Sequence, residues 1–245
     1  MIVYLHGTPG SPRELAYFAP HRADIYAPDR FALGLDHDQL AAHLTARFSG
    51  EPLHLIGFSM GSFVAMQVAH RLGAQVVKLD LISAVAPFEA GDYLNDAVGG
   101  PLFRLAASRS WLFEFAVWLQ KMMAHYAPSL LFHFLFAKSR GGDAELARDP
   151  SFKRNVSAIL VSSLGTGSAR YAQELRAVMQ PWADIIPTIA APATLWHGSD
   201  DNWSPPAMAD YLARNLGNVV ADHRREGGSH YSVLRDALGV ICREG

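Results

Sequence analysis

The stretch LIGFSMGSFVAMQVAH, residues 55–70, decides the fold. It passes from an apolar run through Gly57-Phe58-Ser59-Met60-Gly61 into residues at helical spacing, with Val64, Val68 and Leu72 on one face. A strand that runs into a helix through one serine needs a very sharp turn. The crowded backbone there requires small neighbours, which Gly57 and Gly61 supply. Such a turn projects the hydroxyl of Ser59 above the sheet, and the unpaired N–H groups at the helix start, Met60 among them, face any negative charge that develops nearby. A purely structural Gly/Ser turn uses the same residues, so the flanking sequence has to separate the two readings.

On both sides of this stretch, short apolar strands alternate with helices. Residues 2–6 of MIVYLHG, ADIYAPD at 23–29, PLHLIGF at 52–58 and VVKLDLISAVAP at 76–87 read as strands. HDQLAAHLTARF at 37–48 places Leu40, Leu44 and Phe48 at helical spacing. Uninterrupted apolar strands of this kind predict an α/β fold, with a mostly parallel central sheet flanked by helices. From residue 88 to about 180 the rhythm changes to a helical, aromatic-rich pattern. WLFEFAVWLQKMMAHY and PSLLFHFLFAK are its most apolar pieces, separated by a proline that limits the first helix. Strands resume at ATLWHGSDD and NVVADH. The expected organisation is a core of residues 1–87 and 181–245 interrupted by an inserted helical lid, 88–180.

Composition excludes several classes. The 245 residues are half hydrophobic and 18% charged with a formal net charge of -2, which argues against disorder and against nucleic acid as a partner. The eleven histidines are dispersed singly, without Cys/His ligand spacing, so no metal site is expected. Cys242 is the sole cysteine and cannot form an internal disulfide, which favours a reducing compartment. The first residues lack the pattern of a signal peptide. SLLFHFLFA, residues 129–137, falls far short of the roughly 20 residues that span a bilayer and reads as buried helix or lid. A cytoplasmic protein with no integral membrane association is the expectation.

Serine is a weak nucleophile that needs a base, and the base needs an acceptor on its other nitrogen. His230, in REGGSHYSVL, follows a glycine-rich loop that can carry imidazole over the sheet edge; its alternative role is to cap the final helix. Asp200 and Asp201 both stand at the end of strand ATLWHG, where open α/β sheets carry functional groups. One can orient His230 while the other caps the next helix or faces solvent, and spacing leaves their order open. HGTPGS, residues 6–11, permits a tight excursion that brings the Thr8 N–H toward the oxygen faced by the Met60 N–H, an arrangement suited to a tetrahedral oxyanion. His6 reads as a residue that shapes this loop.

Together HGTPGS, GFSMG, HGSDDNWSP and GGSH, in the order Ser-Asp-His, resemble the α/β-hydrolase superfamily, in particular its small lidded serine carboxylesterases. The resemblance implies Ser59, Asp201 and His230 as catalytic residues, because His197-Gly198, two variable residues, an acid and Pro205 match the family pattern around Asp201. It also implies an oxyanion hole at Thr8 and Met60. The sequence departs from the family in starting almost directly at what resembles its third strand, either because that edge is trimmed naturally or because residues before this start are omitted, and in lacking the frequent Gly-His-Gly-x-Ser loop. A missing edge bears on stability and on association as a homodimer. Serine at the elbow disfavours the dehalogenase and epoxide hydrolase types, which use aspartate there. The activity implied is hydrolysis of small or medium apolar esters without a cofactor, with the partner a small-molecule ester. A thioesterase, a C–C bond hydrolase, a menaquinone-pathway-like enzyme and a noncatalytic small-molecule-binding protein are the alternatives. Phe113, Trp118, Phe132, Phe136 and Trp203 are candidate substrate-binding residues, the alternative for the first four being packing within the lid.

Overall fold

The computed structural model describes residues 1–108, 110–165 and 167–244. Strands β1 (Ile2–Leu5), β2 (Leu53–Phe58), β3 (Val76–Ile82), β4 (Ala193–Gly198) and β5 (Val219–Arg225) form one sheet in that order, each neighbouring pair parallel. Helices α1 (Arg13–Phe18), α2 (Arg30–Leu33) and α3 (His37–Arg47) connect β1 to β2, and α4 (Met60–Leu72) connects β2 to β3. Between β3 and β4 lies the helical insertion: α5 (Gly100–Ala107), α6 (Trp111–Tyr126), α7 (Pro128–Phe136), α8 (Gly141–Leu146), α9 (Pro150–Gly165) and α10 (Ser168–Val178). Helix α11 (Pro206–Asn215) leads to β5, and α12 (His230–Glu244) follows it.

Side chains alternate across the strands, so the sheet divides the apolar core in two. Val3, Leu5, Leu55, Leu79, Leu81 and Leu195 pack with α3, α4 and α11 on one face. Tyr4, Ile56, Phe58 and Ile82 pack with α1, α12 and the insertion on the other. Leu40, Leu44 and Phe48, anticipated on one helical stripe, are all buried, each contributing about 1.5–3 kcal/mol of transfer free energy. The start of α3 is fixed by a capping box in which Asp36 accepts from the Gln39 N–H and the Gln39 side chain accepts from the Asp36 N–H. Along α4 every residue from Met60 to Ala69 is buried, because the helix lies between the sheet and α3. Edge strand β5 is mostly exposed and charged, with Arg224 paired to Asp222 and Asp210, which disfavours further strand addition.

Two expected strands are corrected. Residues 23–29 make only a single bridge, Tyr26 to Val3, since Pro28 lacks an N–H and Asp29 caps α2. β3 ends at Ile82 rather than continuing to 87, because Ser83 turns the chain with φ 47°. In the insertion Pro128 stands at the first position of α7, separating it from α6 as anticipated. Helix α7 is only half buried: Leu131, Phe132 and Phe136 face inward while Leu130 and Phe134 are exposed. Among the described residues no helix is long and apolar enough to cross a membrane.

Candidate active site

Ser59 sits between the last residue of β2 and the first of α4, in a backbone conformation of φ 54° and ψ −127°. Positive φ is uncommon for a residue with a Cβ and costs of order 1–3 kcal/mol, so the surroundings must enforce it. They do so through the Ser59 N–H, which donates to the Ile82 carbonyl at 2.9 Å. Ser62 Oγ also donates to the Ser59 carbonyl at 2.6 Å and accepts from the Val85 N–H at 3.1 Å. A Cβ on Gly57 would approach Ser62 Cα to 2.6 Å, and one on Gly61 would collide with the Leu5 and His6 carbonyls. Gly57 therefore lets α4 fold back directly on β2, and Gly61 lets the end of β1 lie against the start of α4, which brings the loop around Thr8 to Ser59.

His230 opens α12 and is 2% exposed. Its Nδ1–H donates to Asp201 Oδ2 at 2.9 Å, while Asp201 Oδ1 accepts from the Trp203 and Ser204 N–H groups, each at 2.9 Å. Asp200 turns elsewhere, its Oδ1 accepting from Ser199 Oγ at 3.1 Å. The structure thus brings Asp201, and not its neighbour, to the imidazole. Burial alone would lower the His230 pKa, but the charge and hydrogen bond of Asp201, with the charges of Asp143 and Glu14, hold it above its ordinary value. Burial pushes the Asp201 carboxyl up; His230, His197 and the Ser204 N–H outweigh that and hold it below its ordinary value. His197, kept neutral chiefly by burial, donates to the Ser204 carbonyl at 2.9 Å and ties down the same turn.

Ser59 and His230 border one small recess of about 20 Å³, together with Gly7, Thr8 and Trp203. No hydrogen bond joins Ser59 Oγ to the imidazole among the described residues; such bonds commonly tighten only in a complex with substrate. A larger cavity of about 220 Å³ opens beside Ser59, lined by Thr8 and Met60 and walled by Leu102, Leu131, Leu135 and Leu164. A second, broader charged groove reaches Asp201 and is bordered by Arg104, Lys138, Arg140 and Asn202.

Buried charges not singled out in the sequence hold the Thr8 loop. Glu14 Oε2 accepts from the Gly7 N–H at 3.0 Å and from the Tyr4 hydroxyl at 2.9 Å. Burial raises the Glu14 pKa to about 7 against the opposing pull of these donors. Glu174, from the insertion, accepts from Thr8 Oγ1 at 2.7 Å and pairs with Arg30 at 3.1 Å, while Arg30 Nη1 donates to the His6 carbonyl at 2.8 Å. His6 is fully buried and held neutral by burial and by Arg30, in keeping with a loop-shaping role.

The aromatic candidates divide. Trp203 lines both cavities and stacks near His230, with ring centroids 5.8 Å apart, and Phe136 borders the recess. Phe113 and Phe132 are corrected to core residues, 0% and 1% exposed, that do not line either cavity. Trp118 is corrected to the outer surface, 52% exposed and stacked on Phe115. The phase of α6 puts Phe113 and Val117 inward, so Trp118, one residue past Val117, points out.

A family model described as the alpha/beta hydrolase family matches residues 2–242. The chain belongs to the alpha/beta hydrolase family. No curated protein matches this alpha/beta hydrolase in sequence. Among solved structures it is similar to a bromoperoxidase from Bacillus anthracis (15% identity, 99% of this chain and 91% of that chain covered, TM-score 0.68). It is also similar to a thermophilic esterase from Thermogutta terrifontis (15% identity, 99% and 88% covered, TM-score 0.68). A third is a serine hydrolase from the polyaromatic-hydrocarbon-degrading Cycloclasticus zankles (16% identity, 99% and 87% covered, TM-score 0.63). At these identities the likeness carries the fold of the alpha/beta hydrolase and not a substrate.

Proposed function

We propose that this alpha/beta hydrolase is a serine hydrolase that cleaves carboxylic esters through an acyl-enzyme. The observation that carries the reading is the convergence of a strained Ser59 and an Asp201-bound His230 on one recess. Ser59 Oγ attacks the ester carbonyl as His230 Nε2 takes its proton, and Asp201 keeps the other imidazole nitrogen protonated and stabilises the imidazolium. The N–H groups of Thr8 and Met60, which donate to no other group of the described protein, receive the oxyanion; removal of one such donor typically costs about 10²–10³ in kcat. His230 then protonates the departing alkoxide. Water enters and gives its proton to His230 as it attacks the acyl carbon; the acid then departs as His230 returns that proton to Ser59 Oγ.

The leucine-walled cavity beside Ser59 supports an apolar group on the substrate. Labelling with a fluorophosphonate, followed by peptide mapping, tests the reading together with turnover of an ester series. The expected results are modification at Ser59 and hydrolysis, both lost in S59A. A folded protein that neither labels nor turns over any ester, while binding small apolar molecules saturably, is a noncatalytic binding protein instead. Faster turnover of thioesters than of esters of equal acyl length reassigns the bond cleaved.

A further inference from the structure

Of the buried charges around the site, Asp143 stands apart because it comes from the helical insertion yet touches the helix of His230. It is 0% exposed. Its Oδ2 accepts from the Tyr231 N–H at 3.0 Å and its Oδ1 from the Ser232 N–H at 2.8 Å, the two amides that directly follow His230. These are the orphan donors of the first turn of α12, where the helix presents partial positive charge. Cα placement is reinforced next door, where the Gly142 N–H donates to the Gly227 carbonyl at 3.0 Å in the loop leading to the histidine. On the other side, the His230 carbonyl accepts from Ser83 Oγ at 3.0 Å.

We propose that Asp143 is a positioning residue for His230: it anchors the turn that carries the imidazole and places a second buried carboxylate beside the Asp201–His230 pair. The inference rests on the serine hydrolase reading for its effect on rate. Anchoring matters because the imidazole has to swing little between taking the serine proton and giving it to the leaving group, and a 1 Å error in a positioned group can cost about 10²-fold. Charge matters because an anion near imidazole favours imidazolium. Burial pushes the Asp143 carboxyl above its ordinary value, opposed by the Tyr231 N–H, the His230 imidazole and the Ser232 N–H, which favour its anion. Among the described residues, the charged and titratable groups facing His230 are Asp201 and His197 from β4 and its following turn, Glu14 from α1, Asp143 from α8 and Tyr231 from its own helix. Asp201, Asp143 and Glu14 raise the His230 pKa; burial lowers it.

The test compares D143N, which keeps one acceptor oxygen but no charge, with D143A, which keeps neither, using thermal unfolding to verify the fold. In D143N the acid limb of kcat/KM, set by deprotonation of His230, moves to lower pH by about half a unit or more, and kcat falls severalfold. In D143A kcat falls further, by about tenfold or more, with KM nearly unchanged. Folded variants with unaltered kcat and an unaltered limb overturn the proposal. Should both variants fail to fold, the unsubstituted protein decides: the amide protons of Tyr231 and Ser232 are expected to resist exchange and to shift with titration of the Asp143 carboxyl and of the His230 imidazole. Rapid exchange or the absence of that shift overturns the assignment. Fluorophosphonate labelling of Ser59 is scored separately, so a protein that fails to label refutes the hydrolase reading while the amide titration still judges Asp143.

Discussion

Replacing Asp201 by asparagine is expected to disable the proposed mechanism through the tautomer of His230, and the structure says why the new amide cannot avoid it. The Trp203 and Ser204 N–H groups both point at Oδ1 from 2.9 Å. Two donors require an acceptor, so the amide of D201N keeps its oxygen at that position and its NH₂ at the position of Oδ2, which is 2.9 Å from His230 Nδ1. An NH₂ there donates to Nδ1, which places the imidazole proton on Nε2 and leaves no lone pair to accept the proton of Ser59. The expected loss in kcat is about 10³–10⁴, equivalent to about 4–5.5 kcal/mol of transition-state stabilisation. Stability changes little, because both anchoring hydrogen bonds persist. D200N, whose carboxylate accepts a hydrogen bond only from Ser199 Oγ among the described residues, is expected to stay within about threefold of the unsubstituted rate. Steady-state ester hydrolysis checked by circular dichroism distinguishes the two variants. Retention of more than a tenth of kcat by D201N, or greater sensitivity of D200N, refutes the reasoning.

Other consequences can be measured independently. E174A leaves the Arg30 guanidinium, 1% exposed, without its carboxylate, and urea unfolding should show a loss of about 3–5 kcal/mol; a loss under about 1 kcal/mol would mean that water reaches the pair. L102W places an indole at the 220 Å³ cavity, so kcat/KM for medium-chain esters should fall by about fourfold for each methylene no longer taken in, with acetate esters nearly unaffected; an equal fall for all chain lengths would place the acyl group elsewhere. Asp80 is pushed up by burial but held on balance below its ordinary value of 3.8 by hydrogen bonds from His54 and Trp196 and by the charges of His54 and Lys78. Its contribution to stability is therefore complete above the unfolded pKa and is lost as pH falls through the lower folded one; D80A should flatten the acid dependence of unfolding free energy, and an unchanged slope would contradict this.

What the sequence by itself determined lies where the cause is local. The parallel α/β sheet followed from contiguous apolar strands and a 3.6-residue helical stripe, and Leu40, Leu44 and Phe48 are buried as their spacing demands. The turn at Ser59 was legible because its glycines, serine and helix start are adjacent in the chain. Ser59 and His230 could be named from such fragments, and family resemblance favoured Asp201, but spacing alone left two aspartates. Which of them meets His230 is decided only by the tertiary structure, through the Trp203 and Ser204 N–H groups that fix the Asp201 carboxylate beside the imidazole and leave its neighbour outside. It likewise decided that Tyr26 forms a single bridge instead of a strand, and that Trp118 faces outward while Phe113 and Phe132 fill the core. Glu14, Arg30, Asp143 and Glu174 carried no local signal at all. Charged residues are ordinarily solvated, and nothing near Arg30 in the chain announces a carboxylate 144 residues away or, near His230, an aspartate that caps its helix from the insertion. Periodicity reports which face of an element is apolar, whereas the pairing of a buried charge depends on which distant elements are packed together, and that is settled only when the whole chain has closed around the site.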